Sequence, residues 1–372
     1  MKIFQVGTAY PHRGGIAHFN NLLYKTLKKR GHSVKIISFK RQYPSIFFPG
    51  KTQYEKDDKY KVETFPIIDS VNPLNWLKVG KQLADEKPDI VIFHHWMPFF
   101  GPAFGTIAKR VKKAGAKVVF ICHNIVPHEK QPMGACLTKW VLRKSDSYIV
   151  LSEKEKRDLE TIVKNPDVKV VFHPVYEIFN TDITPEQSKK ELGLNKENVV
   201  LFFGHIRKYK GLDVLLRAFK IAKEKVNFKL IVAGEFYDDQ EKYNSLINEL
   251  GIKDDLLLFD DFIPTDKVGM YFKASDVVIL PYISATQSGV IQICYNFDKP
   301  VIATRVGGLP EFIDENKTGL LIEPNDPQAV ADAIVKFYSE NLQPEFSENV
   351  RIFKQKFSWE NMAKEIESFL PS

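Results

Sequence analysis

The chain has 372 residues, 44% hydrophobic and 27% charged, more than one core usually supports, so two domains are expected and a single small module is excluded. Ordinary Gly and Pro contents with ample apolar residues exclude disordered and fibrous classes. The net charge of +7 hides a division: residues 1–150 hold 25 Lys/Arg against 10 Asp/Glu, and residues 151–372 hold 28 against 36. A basic first half points to an anionic partner (a membrane surface, nucleic acid or a phosphorylated substrate), or only to solubilising charge on helix faces.

Short apolar runs alternate with helical patterns throughout, the signature of parallel α/β units. In the first half strands are expected at 3–6, 34–39, 90–93, 118–122 and 148–151. Between the first two, Phe19, Leu22, Leu23 and Leu27 fall at helical spacing, and Lys28, Lys29 and Arg30 before Gly31 suit a helix C-terminus. His173-Pro174 and the polar stretch 180–190 read as an interdomain linker, giving domains at 1–180 and 181–354. In the second half strands are expected at 199–203, 230–233, 256–259, 277–280 and 301–303, with a helix at 212–223. Ser145-Asp146 and Ser275-Asp276 each precede a buried strand, a weak echo between two related halves. The fold class is α/β, two Rossmann-like doubly wound parallel sheets.

Cys122, Cys136 and Cys294 make no Cys-x-x-Cys pair and suit a reducing compartment. The first residues lack a signal-peptide pattern and no apolar run approaches a membrane span, so a cytoplasmic chain is expected, peripheral on the membrane at most.

Ligands of open parallel sheets bind beyond the carboxyl ends of the strands, so the loops there carry the candidate chemistry. The loop 7–15 ends in Gly14-Gly15 and opens a helix, allowing backbone N–H groups close to a phosphate or sugar, or making a plain tight turn. It lacks Gly-x-Gly-x-x-Gly, so no dinucleotide fingerprint is present and no cofactor is expected. The loop 203–213 sets Arg207 and Lys210 between Gly204 and Gly211, two cations for a diphosphate or a solvated basic turn. The run 284–289 can cap a helix with Ser288, Gly289 and Val290 amides aimed at phosphate, and Gln287 and Gln292 could bond ribose or phosphate. A capped core helix is the plainer reading.

Together these pieces resemble the retaining glycosyltransferases of the fourth sequence family, which have the GT-B fold. The likeness runs from Gly14-Gly15 through 119–124 and Gly204…Lys210-Gly211 to 274–281, 300–308 and Phe357-Ser358-Trp359. It implies two domains facing a cleft, an acceptor bound by the first, a nucleotide-diphosphate sugar (UDP- or GDP-linked) by the second, and a C-terminal helix at about 355–372 packing back on the first. His123 matches the family histidine beside the donor sugar, and Lys210 the lysine on the diphosphate. His205 stands where the family usually has its companion arginine, so Arg207 is the candidate for that role. Glu311 follows Gly-Gly-Leu-Pro and is expected to shape its loop. Base contacts are expected around Asp261, Phe262 and Ile263.

One departure stands out. Two glutamates eight residues apart usually precede the Pro-Val strand; here Ala285 and Ile293 occupy those positions. Gln287 and Gln292 are the nearest polar substitutes, and neither supplies a negative charge. No Asp-x-Asp occurs, so no metal is expected. The expected reaction is hexosyl transfer to a glycan or lipid-linked acceptor, as in cell-surface polysaccharide or glycolipid assembly. The basic helices with Phe47-Phe48, Trp96, Phe99, Phe100 and Phe104 suggest an anionic membrane surface. A nucleotide-sugar-binding partner subunit and a nucleotide-sugar epimerase are the alternatives. Nucleic acid is not expected, because no binding module accompanies the basic residues.

Overall fold

The computed structural model describes residues 1–44, 54, 61–125 and 133–370. They form two compact units, Met1–Pro174 with Phe357–Ser372, and Val175–Lys356. The N-terminal unit holds β1 (Lys2–Val6), β2 (Ser33–Arg41), β3 (Thr64–Asp69), β4 (Ile90–His95), β5 (Lys117–Cys122), β6 (Ser147–Val150) and β7 (Val168–Val170). Their order is β3-β2-β1-β4-β5-β6-β7, all parallel. The C-terminal unit holds β8 (Val199–Phe203), β9 (Lys229–Ala233), β10 (Leu256–Phe259), β11 (Val277–Leu280), β12 (Val301–Thr304) and β13 (Gly319–Ile322), in the parallel order β10-β9-β8-β11-β12-β13. In each sheet the strand order reverses once, between β1 and β4 and between β8 and β11. Within each unit the switch point leaves a crevice at the carboxyl ends of its strands.

Central strands are buried almost throughout because helices cover both faces, so they read as continuous apolar runs. The unexpected strands, β3, β7 and β13, all lie at sheet edges. β3 is only partly buried, contains Pro66 and carries register shifts, all tolerable at an edge. The stretch read as linker contains the helix Pro185–Glu191, opened by a capping box between Thr184 and Gln187. That Thr-x-x-Gln was the missed signal.

The Ser-Asp echo has a mechanical meaning. Asp276 N–H donates to the Val199 carbonyl at 2.8 Å while its carboxylate accepts from Val199 N–H at 2.6 Å, fastening β11 to β8. Asp146 makes the same two-way clamp on Val118, fastening β6 to β5. In sheet order, however, the counterpart of Asp276 is Asp89, which clamps Lys2 and fastens β4 to β1.

The C-terminal helix Trp359–Glu367 belongs to the N-terminal unit. Trp359 meets the Phe19 ring edge-on at 4.9 Å, on the helix Gly15–Lys29. Glu367 accepts from both Arg30 Nε and Nη2 at 2.6 Å and pairs with His32 at 2.7 Å. The Arg30 bond chiefly pulls its carboxyl down from 4.5 to about 2. A depressed carboxyl stabilises above its unfolded value and loses that contribution as pH falls toward its folded one. Glu367→Gln is therefore expected to cost about 1–2 kcal/mol at pH 7 and only a small fraction of that near pH 2, checked by urea melts at both pH values.

Phe100 and Phe104 are not surface aromatics. Both are fully buried and pack on Phe39, with centroids at 5.0 and 6.0 Å, because they line the inward face of the helical segment 98–113. Trp96 and Phe99 are half-buried against the same core. Phe47 and Phe48 lie outside the described residues. Trp140 and Met133 are the exposed large side chains beside Lys139 and Arg143. Among the described residues no helix is long and apolar enough to cross a membrane.

Candidate functional site

In the C-terminal unit the loops after β8 and β11 meet at the switch point. Ile283 N–H donates to the Tyr209 carbonyl at 2.7 Å, and Gly211 lies so close to Pro281 that a Cβ there would strike its carbonyl oxygen. The loop after β12 joins them: Gly308 N–H donates to the Thr286 carbonyl at 2.9 Å. Lys210 sits within this junction. It is only 9% exposed, and its ammonium lies 3.1 Å from where a Gly204 Cβ would be and 5.6 Å from the Tyr282 ring centroid. Among the described residues no carboxylate pairs with it. Burial chiefly, and then the Arg207 charge, lowers its pKa from 10.5 to about 8. Arg207 lays its guanidinium over Tyr237 at 4.9 Å, and His205 stacks on the same ring at 4.6 Å.

Ser288 caps the helix Gly289–Asn296: its hydroxyl accepts from Val290 N–H at 3.3 Å and lies 3.3 Å from the Tyr282 hydroxyl. Val290 is the other side chain over Gly204, at 3.7 Å from its would-be Cβ. A buried ammonium without a carboxylate, beside a capped helix start, is an arrangement suited to an anion.

In the N-terminal unit, β1 ends at the loop carrying Gly14, which precedes the helix Gly15–Lys29 with φ 112° and open space where a Cβ would stand. His123 follows β5, and its N–H donates to the His95 carbonyl at 2.8 Å, extending the ladder. Its Nε2 lies 3.0 Å from His94 Nδ1, and Phe19 meets its ring edge-on at 4.8 Å. Burial holds His123 well below 6.5, with His94 at about 3 and His173 at about 4, so all three rings are neutral at pH 7.

Residues 13–176 match the family Glycosyltransferase Family 4, and residues 184–357 match Glycosyl transferases group 1. The chain is a member of this glycosyltransferase family. An uncharacterized glycosyltransferase of Methanocaldococcus jannaschii is 26% identical, over 98% of this chain and 96% of its own. N-acetyl-alpha-D-glucosaminyl L-malate synthase of Bacillus anthracis is 28% identical, over 92% and 90%. Among solved structures, Anabaena Alr3699/HepE in complex with UDP-glucose superposes with a TM-score of 0.77 over 100% of both chains, at 16% identity, a likeness of fold. That fold is GT-B.

Within the C-terminal unit this glycosyltransferase brings Gly204, Lys210, Ser288, Gly289 and Val290 together. Gln287 is half-buried, with its Oε1 buried and unpartnered. Gln292 is fully buried, and both its amide atoms lack a hydrogen-bond partner among the described residues. Ala285 and Ile293 are buried as well. Asp261, Phe262 and Ile263 follow β10, two strands away from β8, running from exposed to buried. Glu311 lies in the helical turn Leu309–Phe312, its N–H bonded to Gly308 at 3.1 Å. Among the described residues no group of three His, Cys, Asp or Glu side chains could hold a metal ion. Sequence reasoning missed Tyr282, Tyr237 and His94.

Proposed function

We propose that this glycosyltransferase moves a hexose, with retention of configuration, from a UDP- or GDP-sugar to a glycan or lipid-linked acceptor. The observation that carries the reading is Lys210, a buried cation with no carboxylate among the described residues to neutralise it. Lys210, Arg207 and the amides after Ser288 would stabilise the departing diphosphate, the largest charge developed in the reaction. The leaving phosphate oxygen would take the acceptor's proton. No step is assigned to a metal or cofactor. The HepE complex with UDP-glucose agrees with this donor class.

The acceptor is assigned to the N-terminal unit. Arg30 and Lys112 are held by Glu367 and Asp146, but Lys25, Lys28, Lys29, Lys109, Arg110, Lys113, Lys139 and Arg143 are exposed with no carboxylate paired among the described residues. Such a surface favours an anionic acceptor or membrane. The absent glutamates favour a second reading, a sugar-nucleotide-binding partner without catalysis. A thermal-shift screen over UDP-, GDP- and ADP-glucose tests donor binding: one nucleotide class should raise the melting temperature in a concentration-dependent way, and no shift with any of them would refute the reading. Sedimentation with anionic vesicles at low salt tests the membrane: binding that fades with salt is expected.

A further inference from the structure

The His94–His123 pair says more about the reaction than His123 alone. β4 and β5 run parallel with His94 opposite Ile121. Because side chains alternate along a strand, His94, Ile121 and His123 share one face of the sheet, the face covered by Phe19. The His94 ring fits there because residue 7 has no side chain: a Cβ on Gly7 would lie 3.1 Å from His94 Cβ and 3.3 Å from its Cδ2.

Two neutral rings in a 3.0 Å hydrogen bond share a single proton, and the rest of the pocket decides where it sits. If His123 carried it on Nε2, His94 would have its own proton on Nε2. That atom is buried without a hydrogen-bond partner, and a buried N–H with no acceptor is costlier than an unfilled lone pair. If His94 carries it on Nδ1, its Nε2 is left with only a lone pair. The second arrangement wins.

We infer that His94 is a positioning residue: its Nδ1–H donates to His123 Nε2 and holds His123 as the Nδ1–H tautomer, a hydrogen-bond donor toward the reacting sugar and not a base. The sugar's position rests on the function proposed above; the tautomer rests on the ring geometry alone. His123 then has no free lone pair for the acceptor's proton, in keeping with proton transfer to the departing phosphate oxygen.

The test is nitrogen-15 NMR of histidine rings in the full chain at pH 7, with His123 assigned through His123→Gln. Expected is a protonated Nδ1 and an unprotonated Nε2 on His123. His94→Phe should release the tautomer, and Gly7→Ala, which crowds the ring by a few tenths of an ångström, should release it in part. His94→Asn, which can place an amide N–H near the old Nδ1, should retain it. A protonated Nε2 on wild-type His123, or a spectrum indifferent to His94→Phe, overturns the inference. Turnover of whichever of UDP-, GDP- or ADP-glucose the wild type consumes should fall about tenfold in His94→Phe and recover in His94→Asn, with the donor KM little changed. Equal turnover in His94→Phe refutes the positioning role. A wild type that consumes none of the three counts against the transfer reading, while the ring spectrum still decides the tautomer.

Discussion

Lys210→Met is expected to make the ligand-free protein more stable and, in the same step, to abolish its stabilisation by the donor nucleotide. The ammonium is held near 8 against 10.5 in the unfolded chain, so keeping it charged and buried at pH 7 costs roughly 2–3 kcal/mol, part of which an uncharged chain of similar length recovers. Between about 8 and 10.5 the unfolded chain binds more protons than the folded one, so wild-type stability should rise through that window, and the rise should be missing in the variant. Donor affinity should move the other way, weakening as pH climbs past about 8 and the cation is lost. Melting curves with and without nucleotide, from pH 7 to 10, read all three effects. A variant that is less stable when free and still shifted by nucleotide would show Lys210 to be structural.

The second large effect is at Gly307. Its φ is +56°, and a Cβ there would fall on the Ala285 carbonyl oxygen, at the base of the loop leading to Ser288. Gly307→Ala must strain its own backbone or push that loop away. We expect about 2–4 kcal/mol of lost stability together with loss of the donor-induced shift. Gly251→Ala supplies the control. Gly251 has φ +65°, after the helix Gln240–Leu250, with nothing within 4 Å of a Cβ. Strain alone, about 1 kcal/mol, should result, with the nucleotide response intact. Equal behaviour of the two variants would mean that the collision does not shape the site.

What the sequence made legible follows from how local each feature is. The helix Leu212–Lys223 and the fully buried strands β8 and β11 are written in runs of adjacent residues, and each lies where the pattern put it. β3 and β7 are edge strands with half-buried, short or Pro-containing sequences, whose identity comes from one neighbour instead of two. The site divides in the same way. Lys210 was legible from its loop between two glycines, and the resemblance matched it again, yet its burial without a counter-charge depends on the loops after β8, β11 and β12 converging. The complete burial of Gln292, with both amide atoms unpartnered, likewise depends on packing that no local run of residues spells out. The His94–His123 contact joins residues 29 apart through strand register, which no local pattern reveals. Asp89, the true counterpart of Asp276, was hidden for the same reason.

The function proposed for this family member is transfer of the sugar, not mere binding of a sugar nucleotide. The most direct measurement is phosphorus and proton NMR of the purified full chain with the nucleotide sugar selected by thermal shift, in the presence of EDTA. The predicted result is release of the free nucleoside diphosphate, with the sugar's anomeric configuration retained in the product and the release lost in Lys210→Met. A donor that binds and remains intact, with or without added acceptor, would contradict it and favour the partner-subunit reading.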